Sequence, residues 1–84
     1  MKTTAYIDKI SDDYSSKIKA HATVDLIGVE DMIIIKVKII KGVYGHRVKL
    51  PTGVTLVDDL RKRVQREVLQ AYAKALGAVS VGGN

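Results

Sequence analysis

Residues 32–51, MIIIKVKIIKGVYGHRVKLP, decide the fold. Ile33, Ile35, Val37 and Ile39 fall at every second position, with Lys36 and Lys38 between them. That period places one apolar and one basic row on opposite faces of a strand. Ile34 and Ile40 blur the basic row at its ends. Gly42-Val43-Tyr44-Gly45 breaks the run, and His46-Arg47-Val48-Lys49-Leu50 resumes it with Val48 and Leu50 on the apolar side. Pro51, which has no N–H to offer a neighbour, closes the second strand. Two strands alone are unstable in water, so the rest of the chain must extend or cover this hairpin.

Toward the N-terminus, Thr3–Ile10 is rich in Thr, Tyr and Ile and reads as a first strand of unfixed register. The polar cluster Ser11–Ser16 is a turn. From Lys17 the alternation is plainest, with Ile18, Ala20, Ala22, Val24 and Leu26 on one face. Lys17, Lys19, His21, Thr23 and Asp25 take the other, and Gly28–Asp31 is a second turn. Short links between successive strands favour an antiparallel meander.

Toward the C-terminus the period changes. Leu60, Val64, Val68, Ala71 and Ala75, flanked by Tyr72 and Leu76, recur at steps of three and four and define an amphipathic helix. Thr55 with Asp58 spells a capping box with Asp in place of Glu or Gln, and Asp58 is the other candidate cap. Asp58 and Asp59 suit the positive end of the helix dipole. Gly77 is a natural stop, after which the tail adds a short strand or frays. The expected fold class is therefore α+β: an antiparallel sheet of about four strands, a β-meander over approximately 3–10, 17–27, 32–41 and 46–51. One C-terminal amphipathic helix over approximately 57–76 packs on one face, and residues 77–84 form a tail. The expected core joins the helix stripe to the rows Ile18/Ala20/Ala22/Val24 and Ile33/Ile35/Val37/Ile39, with Ala20 and Ala22 leaving room for close approach of the helix.

With 84 residues the chain holds one domain, near the lower size limit for standing alone. It has no Cys to staple it, which makes association with a second copy a natural expectation. The N-terminus lacks the apolar core of a signal peptide, and Lys residues interrupt every apolar stretch. A cytoplasmic, soluble protein without a membrane partner is expected. The net charge of +5 and pI near 9.6 favour a polyanionic partner. The excess lies in the middle strands and the helix, because Lys2 and Lys9 are offset by Asp8, Asp12 and Asp13.

Nothing in the residue pattern marks an enzyme. His21 and His46 lie on different strands, and no Ser or Asp is spaced to converge with them as nucleophile and orienting group. No His/Asp/Glu cluster has ligand spacing, so no metal, cofactor or small-molecule substrate is expected. Gly42-Val43-Tyr44-Gly45 matches the G-x-x-G of a KH loop, but that loop joins two helices, whereas β-like runs flank this one. A hairpin turn with Gly at positive φ is the better reading. Projected at 100° per residue, Lys62, Arg63, Arg66, Gln70 and Lys74 face away from the apolar stripe, with Glu67 the one acid, placed to pair with Arg63. Arg61 projects nearer the apolar side. Such a face suits phosphate contacts that position a protein without reading sequence, with Gln70 a candidate for base contact. The four tyrosines are scattered, which favours backbone binding over a stacking platform.

Three motifs occur in order: Lys19-Ala20-x-Ala22-x-Val24, Gly42-x-x-Gly45-x-x-Val48-x-x-Pro51 and Val68-Leu69-x-Ala71-Tyr72. Together they resemble the SpoVG family (stage V sporulation protein G, septation regulator) over roughly Met1 to Leu76. Two departures stand out. The family usually has an aromatic residue after the second Gly, where this chain has His46-Arg47. It also has a longer polar loop before the helix, which contacts nucleic acid in some members; here only Thr52-Gly53-Val54-Thr55 and a few residues remain. The resemblance implies an α+β homodimer, paired through strands at the sheet edges, that binds DNA and in some members RNA in transcription regulation and septation.

The expected function is thus a dimeric, non-enzymatic nucleic-acid-binding regulator of DNA and possibly RNA. Arg61, Lys62, Arg63, Arg66 and Lys74 of the helix are the first candidate phosphate contacts, and Lys36, Lys38, Arg47 and Lys49 of the sheet the second. The competing expectation is a protein-interaction module whose exposed sheet edge accepts a partner strand.

Overall fold

The structure, a computed structural model, describes residues 2–82, with side-chain environments from Lys2 through Gly77. Four strands, β1 (Lys2–Ile10), β2 (Ile18–Ile27), β3 (Met32–Gly42) and β4 (Gly45–Lys49), precede one helix, α1 (Asp58–Gly82). The sheet is antiparallel throughout in the order β1-β2-β3-β4. This is the four-stranded meander with a C-terminal helix that the alternation and the change of period imply. Met1 and residues 83–84 lie outside the described residues.

One face of the sheet packs on α1. Ala20, Ala22, Val24 and Leu26 of β2, Ile35, Val37 and Ile39 of β3, and Val64, Val68 and Tyr72 of α1 form the buried core. Ala20 and Ala22, fully buried, let the helix approach where larger side chains would hold it off. Leu50, Val54 and Leu56 of the link between β4 and α1 pack against the same core.

Two β-bulges alter the expected faces. In β1 the pairing shifts between Ile7 and Lys9, so Asp8 is the extra residue. Ile7 and Ile10 both turn inward, and Lys9 turns outward. In β2 the shift lies between Ile18 and Ala20, with Lys19 the extra residue. Ile18 therefore pairs with Ile40 on the outer face and does not join the core row expected for it. Ile33 also leaves the expected core: it has inward parity opposite Leu26 but is 55 % exposed. The hollow around it is lined by residues of β2, β3 and their turn, with no helix residue over it.

Gly77 does not end the helix, which runs on to Gly82. Its φ is not positive, so the left-handed C-cap geometry is absent, and Ala78 follows as a good helix former. The last expected turn thus extends into the residues assigned to the tail. At the other end Val57 occupies the cap position, where its carbonyl accepts the Arg61 N–H at 2.8 Å. Neither Thr55 nor Asp58 makes a side-chain capping bond among the described residues; Asp58 instead accepts from Arg61 Nη2 at 3.2 Å. Val57 is largely exposed and cannot cap through its side chain. Val57→Asp is accordingly expected to stabilise the domain by about 1 kcal/mol, raising Tm by roughly 4–8 °C. An unchanged or lower Tm in a thermal melt would place the helix start elsewhere.

Candidate nucleic-acid interface

The outer face of the sheet, away from α1, divides into two halves. In the first, charges are matched. The Lys36 Nζ donates to Thr23 Oγ1 at 2.7 Å, and that hydroxyl donates to Asp8 Oδ2 at 2.6 Å. Lys36 Nζ also lies 3.7 Å from the same carboxylate oxygen. Asp8 is the unpaired bulge residue of β1, two positions on from Tyr6, the register partner of Thr23. Nearby, a hydrogen bond to Asp25 holds the Tyr6 phenol above its ordinary pKa. Lys36 thus belongs to a balanced network rather than to an open basic surface.

In the second half, charges are unmatched. Lys9 pairs in register with His21, His21 with Lys38, and Lys38 with Lys49. The result is an exposed lane of basic side chains crossing all four strands. Of these pairs Lys38 and Lys49 set two cations directly opposite each other, about 5 Å apart at Cβ, where like charges repel. No salt bridge to a carboxylate relieves Lys9, Lys38 or Lys49 among the described residues.

At the end of the sheet carrying the β1–β2 loop and the β3–β4 turn, the lane opens into a groove of about 1090 Å³. Its cations are Lys17, Lys19, Lys38, Lys41, Arg47 and Lys49; among the described residues no carboxylate lines it, and His46 and Gln65 of α1 border it at the β4 edge. The strands bring these residues together: Lys17 and Lys41 meet through a backbone bond, Lys41 N–H to Lys17 carbonyl at 2.9 Å. Ile40 pairs with Arg47 on the same face, next to the pair Lys38–Lys49.

The walls of the groove are ordered by local bonds. In the β1–β2 loop, Asp13 Oδ1 accepts the Ser15 N–H at 3.0 Å and the Ser15 hydroxyl at 2.7 Å. These bonds hold the Asp13 carboxyl below its usual pKa. Lys19 Nζ donates to the Tyr14 carbonyl at 3.2 Å, and the Ser11 N–H to the Lys19 carbonyl at 2.8 Å. In the β3–β4 turn, Gly45 takes a φ of 128°, which spares Val43 and Tyr44 any positive φ. The Gly42–Gly45 stretch is thus the tip of a β-hairpin, and the helix–helix setting of a KH loop is absent.

The sequence candidates fall on two surfaces. Lys38, Arg47 and Lys49 line the groove; Lys36, on the same face, does not. Lys62, Arg63, Arg66 and Lys74 are exposed on α1 and do not line the groove, although the helix reaches its rim through Gln65. Arg61 stands between the two: it bonds Asp58 and lines a hollow with Arg47 and Lys49 at the β4 edge. The two histidines lie on opposite faces of the sheet, His21 in the basic lane and His46 inward, its ring 5.3 Å from that of Tyr72 and tilted by 54°. They share no site.

Lys9, Lys41, Tyr14 and Tyr44 were not among the residues that the sequence singles out, and Lys17 and Lys19 only as part of the basic outer sheet face. The basic ones were visible as charge, but two bulges and one turn decide that they converge. Compared with protein-family models, curated proteins and solved structures, the chain matches none of them. No helix among the described residues is long and apolar enough to cross a membrane.

Proposed function

We propose that this protein is a small, non-enzymatic nucleic-acid-binding protein that seats a phosphate backbone in the groove of its outer sheet face. The observation that carries the reading is the groove itself, with six cations and, among the described residues, no carboxylate. Repulsion among fixed like charges raises the energy of the free protein, and a polyanion relieves it while releasing counterions. The helix strip of Lys62, Arg63, Arg66 and Lys74 is a secondary surface, reached by a second segment of nucleic acid or by none.

The dimer and the regulatory role implied by the SpoVG resemblance belong to the same proposal. β1 and β4 each have one side unpaired within the protomer, so a second copy would add strand to strand at an edge. That open edge also favours the second reading, capture of a partner protein's strand. Under it, a Pro introduced into an edge strand abolishes partner capture, and charge changes in the groove do little.

The test is binding of labelled duplex DNA, single-stranded DNA and RNA across a salt series. The expected result is a micromolar or tighter Kd, with a log–log salt slope of about −4 to −5 for six phosphate contacts. Absence of binding at low salt would make the basic face a solubilising surface and move the weight to the sheet edge.

A further inference from the structure

We propose that the groove takes a single unpaired strand of nucleic acid, with bases stacked on Tyr14 and Tyr44, in preference to a duplex. This rests on the nucleic-acid reading above and names the substrate class. Tyr14 and Tyr44 come from different loops, thirty positions apart in sequence, yet both line the same groove as the six cations. Their side chains are almost wholly in water, Tyr14 at 97 % and Tyr44 at 103 % exposure. A single exposed tyrosine is ordinary. Two of them flanking one cationic groove make the combination that sequence-tolerant single-strand binders use, a charged track for the backbone and aromatic faces for the bases.

The loops hold the rings out rather than letting them collapse. Tyr14 sits inside the Asp13–Ser15 turn, and Lys19 fixes its carbonyl. Tyr44 sits at the tip of the β3–β4 hairpin, whose backbone strain Gly45 absorbs. Both rings are therefore presented without a packing partner in the protein. A duplex keeps its bases paired and stacked inside, where neither ring reaches a base face; an unpaired strand offers a free π-face at every nucleotide.

Four tyrosines and no Trp make intrinsic tyrosine fluorescence a direct reporter of stacking. Oligonucleotides of roughly 12 nucleotides, as single-stranded DNA, single-stranded RNA and duplex, would be titrated in parallel with inorganic polyphosphate, which has charge but no bases. The expected result is tighter binding of single strands than of duplex, with tyrosine quenching by single strands alone. Tyr14→Ala and Tyr44→Ala should each lower single-strand affinity about tenfold and leave polyphosphate affinity unchanged, and Tyr→Phe should restore it. The DNA and RNA arms tell which strand is preferred. Tighter binding of duplex, or tyrosine variants that bind all probes like wild type, would overturn the stacking proposal while the cationic groove stands. Equal losses toward polyphosphate would overturn it as well, by reducing the tyrosines to scaffolding. Failure of wild type to bind any probe would remove the underlying reading itself.

Discussion

Ile39→Ala is expected to destabilise the domain by about 2–5 kcal/mol, the range for an aliphatic side chain cut back to Ala in a closed core. Ile39 is the largest of the fully buried side chains, at 0 % exposure, and it sits in the C-terminal half of β3 between Ala20 of β2 and Val48 of β4. Those neighbours are an alanine already at its minimum size and a half-buried valine, so neither can fill the space. A domain of this length is stabilised by only about 4–13 kcal/mol in total. The loss should therefore lower Tm by roughly 8 °C or more. Ile34→Ala, one strand position off the core row and 57 % exposed, is expected to stay within about 0.5 kcal/mol of wild type. Similar melting curves for the two variants would mean that the faces of β3 are assigned the wrong way round.

The second large effect separates binding from folding by sign. Lys38→Glu places an acid between His21 and Lys49, where the register now sets a cation. Opposite charges directly across a strand pair are favourable and like ones are not, so stability should rise by a few tenths of a kcal/mol. Affinity for nucleic acid should fall about 10- to 100-fold, uniformly across sequences, because a phosphate contact is replaced by a repulsion in the groove. A variant that melts higher and binds worse cannot be explained by damage to the fold. Equal affinity with raised stability would show that the lane is a surface feature with no phosphate on it.

The outline of this fold was legible in the chain because its periods are clean. Two-residue alternation in 17–27 and 32–41 and the three-four stepping from Leu60 are strong local signals, and the short links leave few topologies open. What was not legible depends on single inserted residues. A bulge has no signature of its own in an alternating strand, so Ile18 reads as core until its pairing with Ile40 is known, and the register of β1 stays open until Lys9 is seen opposite His21. Nor does the sequence show that Lys36 meets Asp8, 28 positions away along the chain. Gly77 misled for a different reason: propensity for a stop is weak, and a helix already packed through Val64, Val68 and Tyr72 runs past it.

The candidate site was half legible. Charge counting assigned the excess to the middle strands and the helix, and Lys38, Arg47 and Lys49 were among the named cations. Lys62, Arg63, Arg66 and Lys74 of α1 do not line the groove, although Gln65 of the same helix does. That the groove shares Arg47, Lys49 and Gln65 with the hollow lined by Arg61, and so meets α1 at the β4 edge, needs the packing. Tyr14 and Tyr44 look scattered in sequence and become neighbours of one groove only because both adjoining turns close the same end of a meander.

The central claim is that phosphate sits in the groove rather than on the helix. The measurement that tests it most directly is the salt slope of oligonucleotide binding for three proteins: wild type, Lys38→Ala/Lys49→Ala and Lys62→Ala/Arg66→Ala. The groove variant is expected to flatten the slope by about 1.4–1.8, two phosphate contacts' worth, and the helix variant to leave it at the wild-type value. A slope that flattens in the helix variant and holds in the groove variant would contradict the account and transfer the interface to α1.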